Sequence, residues 1–376
     1  MSQHEISMPG ADYISKSYAT KWIVIVWIIL LSGALFWVGR SYVERMSENK
    51  TVSDMRHTDR MAINRVEQGQ TEVDLSMPAG AHPIKVLTGI YVDRIIGLDI
   101  KNSSWTVECL VWFSWTGEKV KPGENFRFVG GTMDSKDLED SYSNGTQHYE
   151  RYRIIATLSK IFDVTRYPCD DHQLVINYEN TSYKRYEMVF IPDSAASEIS
   201  SRVQVPGYAI NQVKIIEKPH TYKTSRGDPR LQAHNKATYS QFKIGIWMNR
   251  TDSSFYLKLS ITLFGAVALA LMMFFIDPAQ IDARLALGLT GVFAAIGNTY
   301  ITSSLLPDMG SFAMIDIMNA FSFLIISIAV LEASIACYLT EKSTDSSFIR
   351  MLDYSTFVVL SVSYTVTTVT LYLAAN

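Results

Sequence analysis

Cysteine is scarce in this chain. Three residues in 376 (Cys109, Cys169, Cys337) are too few for a disulfide scaffold or a four-cysteine zinc site. An excess of one charge is also missing: 34 Lys+Arg against 37 Asp+Glu leave a net charge of −3. That excludes a basic footprint for nucleic acid and an acidic solvating tail. There is no Gly-rich phosphate loop opening a helix, no His-Glu-x-x-His and no Gly-x-Ser-x-Gly. The chain is therefore not read as an enzyme, and neither a cofactor nor a metal is expected. What it does have is segregated hydrophobicity. The apolar fraction is an ordinary 48%, yet residues 22–39 and 255–376 are strongly apolar while 40–250 are mostly polar.

A bilayer-spanning helix needs about 20 apolar residues. Trp22–Val38 is a short candidate with Trp22, Trp27 and Trp37 as interfacial aromatics. An uncleaved anchor is favoured over a signal peptide, because the polar lead of residues 1–21 is long and no small-x-small site follows Val38. Four further spans are expected at Phe255–Ile276, Arg284–Leu306, Ile315–Leu339 and Tyr354–Leu373. The second of these is the polar one, with Thr290, Asn298, Thr299, Thr302, Ser303 and Ser304. As a helix it sets Ala286, Thr290, Phe293, Gly297, Tyr300/Ile301 and Ser304 on one stripe, by steps of three and four. Glu332 lies inside the next span, where a carboxylate is costly and needs a partner or cavity. A proton-sensing role for it would be sunk by an unchanged pH response in Glu332→Gln.

The polar region turns to strand texture at Ile84. Trp105, Val107, Cys109, Val111, Phe113 and Trp115 fall on alternate positions, the mark of a half-buried strand. Further strands are expected at Ile84–Leu98, Tyr149–Thr157, Gln173–Glu179, Tyr186–Phe190, Tyr208–Glu217 and Tyr239–Trp247. Short strands separated by turn residues predict an antiparallel β-sandwich. The acidic run Asp134, Asp137, Glu139, Asp140 lacks a calcium-loop pattern and reads as a solvated loop.

The run Phe162-Asp163-Val164-Thr165-Arg166-Tyr167-Pro168-Cys169-Asp170 resembles the pentameric ligand-gated ion channel family. That family carries an aromatic-Pro-Phe-Asp run followed by x-Gln; here Cys169 replaces the Phe and His172 the Gln. Ile90-Tyr91-Val92 with Leu98-Asp99, then Val111-Trp112-Phe113-Ser114-Trp115, are similar to its first two strands. Arg250 before the first of the four spans, Arg284 opening the polar span, Pro307 ending it and Asp316 beyond are similar in order and spacing. The resemblance covers about residues 82–373. The paired cysteines of the eukaryotic branch are absent, which points to a prokaryotic member. The Trp-x-Pro motif after the second strand is missing, and the anchor at 22–38 is an addition.

The resemblance implies a multi-pass inner-membrane protein with an external, periplasmic sandwich. Its parts would be a cytoplasmic segment (1–21), an anchor (22–39), a helical linker or stalk (40–81), a ligand-binding β-sandwich (82–251) and a four-helix pore domain (252–376). It implies a homopentamer conducting ions, with identical subunits, the permeating ions and the lipid bilayer as partners. A small ligand, proton or calcium acting on the sandwich would open it. The stripe from Ala286 to Ser304 would face the pore, with Asp282 at the cytoplasmic mouth favouring cations. Asp163, Tyr167, Pro168, Asp170, Arg250 and Pro307 would couple sandwich to pore, with the loop touching Leu306-Pro307-Asp308. Tyr183, Tyr186 and Tyr222 are the candidate ligand-binding residues, since tyrosine rings attract cations. The rival reading is a membrane-anchored sensor that keeps the fold and does not conduct.

Overall fold

A computed structural model describes residues 9–66, 77–78, 80–229, 236–251, 253–308, 310–342 and 346–376. The lead before Pro9, stalk residues 67–76 and the hairpin tip at 230–235 lie outside the described residues. The chain divides into two compact units. One is Thr51–Val164 with Asp170–Asp252; the other is Met1–Lys50, Thr165–Cys169 and Ser253–Asn376.

The first unit holds two sheets. One has the order β4-β5-β2-β1-β7, from Gly131–Asn144, Gln147–Ser159, Ser104–Thr116, Ile84–Asp99 and Met188–Pro192, with β8 (Glu198–Ile199) also paired to β1. The other has the order β3-β6-β10-β9, from Phe126–Phe128, Asp171–Asn180, Ala237–Arg250 and Tyr208–Tyr222. The six alternate residues of β2 named above are all buried. Their rings meet those of the second sheet: Phe113 lies 4.9 Å from Phe126 and 6.0 Å from Tyr178, and Tyr178 stacks on Phe242 at 4.6 Å. Each such buried ring contributes about 2 kcal/mol by removal from water alone.

Two expectations change here. The sandwich is not purely antiparallel, because β7 and β8 both run parallel to β1. The acidic run is not a loop. It forms β4, an edge strand paired to β5 along its length. β4 is exposed on both faces and shows no apolar alternation; charge on an edge also discourages pairing with another chain. Arg151 and Arg153 on β5 hold its Glu139, at 3.0 and 2.8 Å.

The outer face of the second sheet receives the end of helix α1 (Pro9–Arg60). Gln173 Nε2 donates to the His57 carbonyl at 3.1 Å and Lys218 Nζ to that of Asp59 at 3.1 Å. Met61 is buried against Gly245, where an added Cβ would come within 2.9 Å of its sulfur.

The second unit is helical. It contains α2 (Ser253–Met272) with a short 3₁₀ turn (Met273–Phe275), α3 (Ile281–Leu305), α4 (Met314–Glu341) and α5 (Ser346–Ala375). With the stretch of α1 from Lys21, five helices among the described residues are long and apolar enough to cross a membrane. α1 packs on α4 and α5: Trp27 Nε1 donates to Thr356 Oγ1 at 3.0 Å, and Tyr42 meets Phe321 edge-on at 6.4 Å. No break separates an anchor from a stalk within the described part of α1, which is one helix of 52 residues. α3 starts at Ile281 because the turn at Asp277-Pro278 closes quickly. The Asp277 side chain accepts from Ala279 N at 2.9 Å, and its carbonyl from Gln280 N at 2.8 Å. Asp282 therefore lies in the first turn of α3, where a carboxylate suits the helix dipole, and not in a loop before it.

Candidate functional site

α3 has two unlike faces. Arg284, Gly288, Gly291, Ala295, Asn298 and Thr302 are buried against neighbouring helices. Gly291 lets α2 approach, since a Cβ there would sit 2.9 Å from the Ala266 carbonyl oxygen. Asn298 and Asn319 of α4 bond at 2.8 Å, and Asn319 donates onward to Thr302 at 3.0 Å. The other face is exposed along its whole length. It carries Asp282, Ala286, Thr290, Phe293, Gly297, Tyr300, Ile301 and Ser304, with Phe293 64% and Tyr300 80% exposed. Thr290 Oγ1 donates to the Ala286 carbonyl and Ser304 Oγ to that of Ile301, both at 2.7 Å. A Cβ at Gly297 would meet nothing within 4 Å.

The buried root of α3 holds an ion pair. Arg284 is fully buried and grips Asp353 of α5 with both terminal nitrogens, at 3.2 and 2.5 Å, while its Nε donates to the Ile276 carbonyl at 2.9 Å. Such a fork-to-fork pair is the strong form of a charged hydrogen bond. Glu332 on α4 is buried within electrostatic reach of both.

Of the coupling candidates, Asp170 and Arg250 meet within the sandwich unit. Asp170 is completely buried and takes Arg250 Nε at 3.0 Å, Tyr208 OH at 2.7 Å and His172 Nε2 at 2.6 Å. Burial alone would raise its pKa. The adjacent His172, the Arg250 charge and the Tyr208 hydroxyl outweigh burial and hold the carboxyl well below the usual range. Burial also lowers the His172 pKa, against the opposing pull of the adjacent Asp170. Asp163 has a different partner, Arg56 at 3.0 Å. Within the helical unit, the Thr165 carbonyl accepts from Met314 N at 2.9 Å and the Tyr167 carbonyl from Ile315 N at 3.2 Å. The Tyr167 ring stands edge-on to Phe255 at 5.8 Å, and Arg166 donates to the Ala375 carbonyl at 3.1 Å. Tyr167 and the neighbouring Pro168 are buried. The contact thus falls on the start of α4, beyond the half-buried Pro307.

The three tyrosines are not gathered. Tyr222 bonds the buried Glu179 at 2.8 Å and lies under Arg226, whose guanidinium is 4.4 Å from the ring centre. Its hydroxyl pKa is pushed up to about 12 by burial and by Glu179. Tyr183 accepts from Lys121 N at 3.3 Å, and Tyr186 is exposed. Among the described residues no hydrogen bond or ring contact joins either to Tyr222. Sequence reading missed what surrounds Tyr222: Glu179 also binds Arg127 at 2.7 Å, Arg226 at 3.1 Å and Gln241 at 2.7 Å. Nothing local in the sequence marks Glu179, because its partners Arg127, Arg226 and Gln241 lie far from it along the chain. The Asp353 partner of Arg284 was missed because the last span was started at Tyr354.

No family model matches the chain. It is similar to a protein named gamma-aminobutyric acid receptor subunit beta from Lymnaea stagnalis. The two are 23% identical over 226 residues, a stretch that is 60% of this chain and 43% of the relative. The match therefore covers less than half of that relative's length. A relative named as a receptor subunit is consistent with a chain that is not an enzyme. With several apolar helices after a sandwich-like sheet region, the chain is a multi-pass membrane protein.

Proposed function

We propose that the chain is one subunit of a ligand-gated ion channel, a homopentamer permeable to cations. The observation that carries this reading is the exposed face of α3. A membrane helix normally turns apolar side chains to lipid, yet this face mixes hydroxyls, a glycine and bulky rings from end to end. One such helix cannot enclose a water path, so copies must share it. The resemblance of the chain to a receptor subunit supports the same assembly. Phe293, with Tyr300 and Ile301, would form apolar rings that close the path by dewetting, and Asp282 would gather cations at one mouth. Asp170 and Arg250 would stiffen the sandwich so that ligand-driven motion reaches the helices through Thr165–Cys169. The amino terminus would face the cytoplasm and the sandwich the outside of an inner membrane.

The test is current across a planar bilayer holding the purified protein in asymmetric KCl, over a range of pH and calcium. Currents reversing near the potassium potential, and made larger or constitutive by Phe293→Ala, are expected. Silence in both forms, from protein shown to be pentameric, would overturn the channel and favour a non-conducting sensor.

A further inference from the structure

Among the described residues, one group of metal-binding side chains comes together away from α3 and from the tyrosines: Asp54, His57 and Asp171. Each offers one donor atom, and the three atoms lie within 4.8 Å of one another. All three belong to the sandwich unit. Asp54 and His57 are three residues apart on α1, a spacing that sets both side chains on one face of the helix. Asp171 opens β6 on the sheet that receives this end of α1. It shares its side of the strand with Gln173, since alternate residues of a strand point the same way. Gln173 reaches α1 too, donating to the His57 carbonyl at 3.1 Å. The donor set is assembled from segments far apart in the chain, so no sequence motif announces it.

Three features favour an ion over a simple charge pair. The first is distance. His57 Nδ1 and Asp171 Oδ2 are 3.9 Å apart, too far for a hydrogen bond between them. Two ligands of one tetrahedral ion, with bonds of about 2.1 Å, stand about 3.4 Å apart, so a small side-chain turn would seat both. The second is a fixed frame. The turn of α1 that carries His57 is held by Gln173, by Lys218 on the Asp59 carbonyl at 3.1 Å, and by Met61 packed on Gly245. A site whose supports are already in place gives little freedom away on binding. The third is access. His57 is buried, whereas Asp54 is exposed and has room to turn, so one side of the cluster is walled and the other opens to solvent. The neighbouring Arg56 turns to Asp163, at 3.0 Å.

We propose that Asp54, His57 and Asp171 bind a divalent transition-metal ion of the zinc class, which staples the end of α1 to the start of β6. The two carboxylates balance the charge of the ion. The imidazole selects it over calcium and magnesium, which take shells of oxygen. Water completes the shell on the open side. The site is independent of whether the protein conducts, and its test reads binding without current.

Isothermal titration of zinc into the tag-free full chain in detergent is the test. One ion per chain is expected, and excess calcium or magnesium should not displace it. Asp54→Asn and Asp171→Asn should each weaken zinc by about tenfold or more, and His57→Gln at least as much. Should His57→Gln fold poorly, Asp54→Asn decides, because its position is exposed and the metal-free melting temperature should not move. Asp54→Cys puts a thiolate where the carboxylate was. With cobalt(II) as the probe, it should add a sulfur-to-metal charge-transfer band that the unsubstituted chain lacks. A purely structural role for Asp54 could not produce that band. Zinc held equally by the unsubstituted chain and every variant would mean an adventitious ion only. That result, no heat with zinc, displacement by calcium, or cobalt spectra that Asp54→Cys leaves unchanged would each overturn the proposal.

Discussion

At the scale of single residues, two buried charges decide most. Asp170 carries a pKa lowered by its partners, so its contribution is complete above the unfolded carboxylate value of about 4 and is lost as pH falls below that. Asp170→Asn should cost about 3 kcal/mol at pH 7, the usual consequence of breaking a buried pair. The gap between wild type and variant should shrink on acidification below about pH 4. Unfolding of the detergent-solubilised protein across that pH range checks both. Arg284→Met should cost about 3–5 kcal/mol by stranding Asp353, and Arg284→Met with Asp353→Leu should recover at least half of that. Melting temperatures of the three proteins measure it. Asp170, Arg250 and Arg284 could all be singled out from sequence, because each stands at a motif or a span edge. Glu179 and Asp353 could not, because their meaning lies in partners far away in the chain.

At the scale of elements, sequence was clearest where one face is wet and the other dry. β2 declares itself by alternation, and the four spans after the sandwich by long, mostly apolar stretches. β4 is silent because both its faces are wet, so its pairing with β5 leaves no trace in hydropathy. The parallel seating of β7 and β8 on β1 is likewise set by long-range pairing that no local pattern encodes. In α3 the two faces make a clean comparison. Gly291→Val should destabilise the helix packing by about 1–3 kcal/mol, because its Cβ would press on the Ala266 carbonyl. Gly297→Ala, on the open face, should leave stability equal or higher by up to about 1 kcal/mol. Thermal unfolding followed by size-exclusion chromatography distinguishes them.

At the scale of the whole molecule, the segregation of polar and apolar sequence foretold a sandwich and a helical bundle. The continuity of α1 was not legible, since its apolar positions thin out after residue 40 and read as a new segment. The exposed rings and hydroxyls of α3 make assembly the strongest global expectation. A mass near five times 42.4 kDa, by light scattering with detergent subtracted, is expected. A monomer under the same conditions would remove the basis for a shared path.

The hydroxyls of Thr290 and Ser304 have one further consequence. Each spends its only proton on a backbone carbonyl of its own helix, so lone pairs are what it turns outward. Rings made of such oxygens would be electronegative without carrying any titratable group. A preference for positive ions built that way would persist at acid pH.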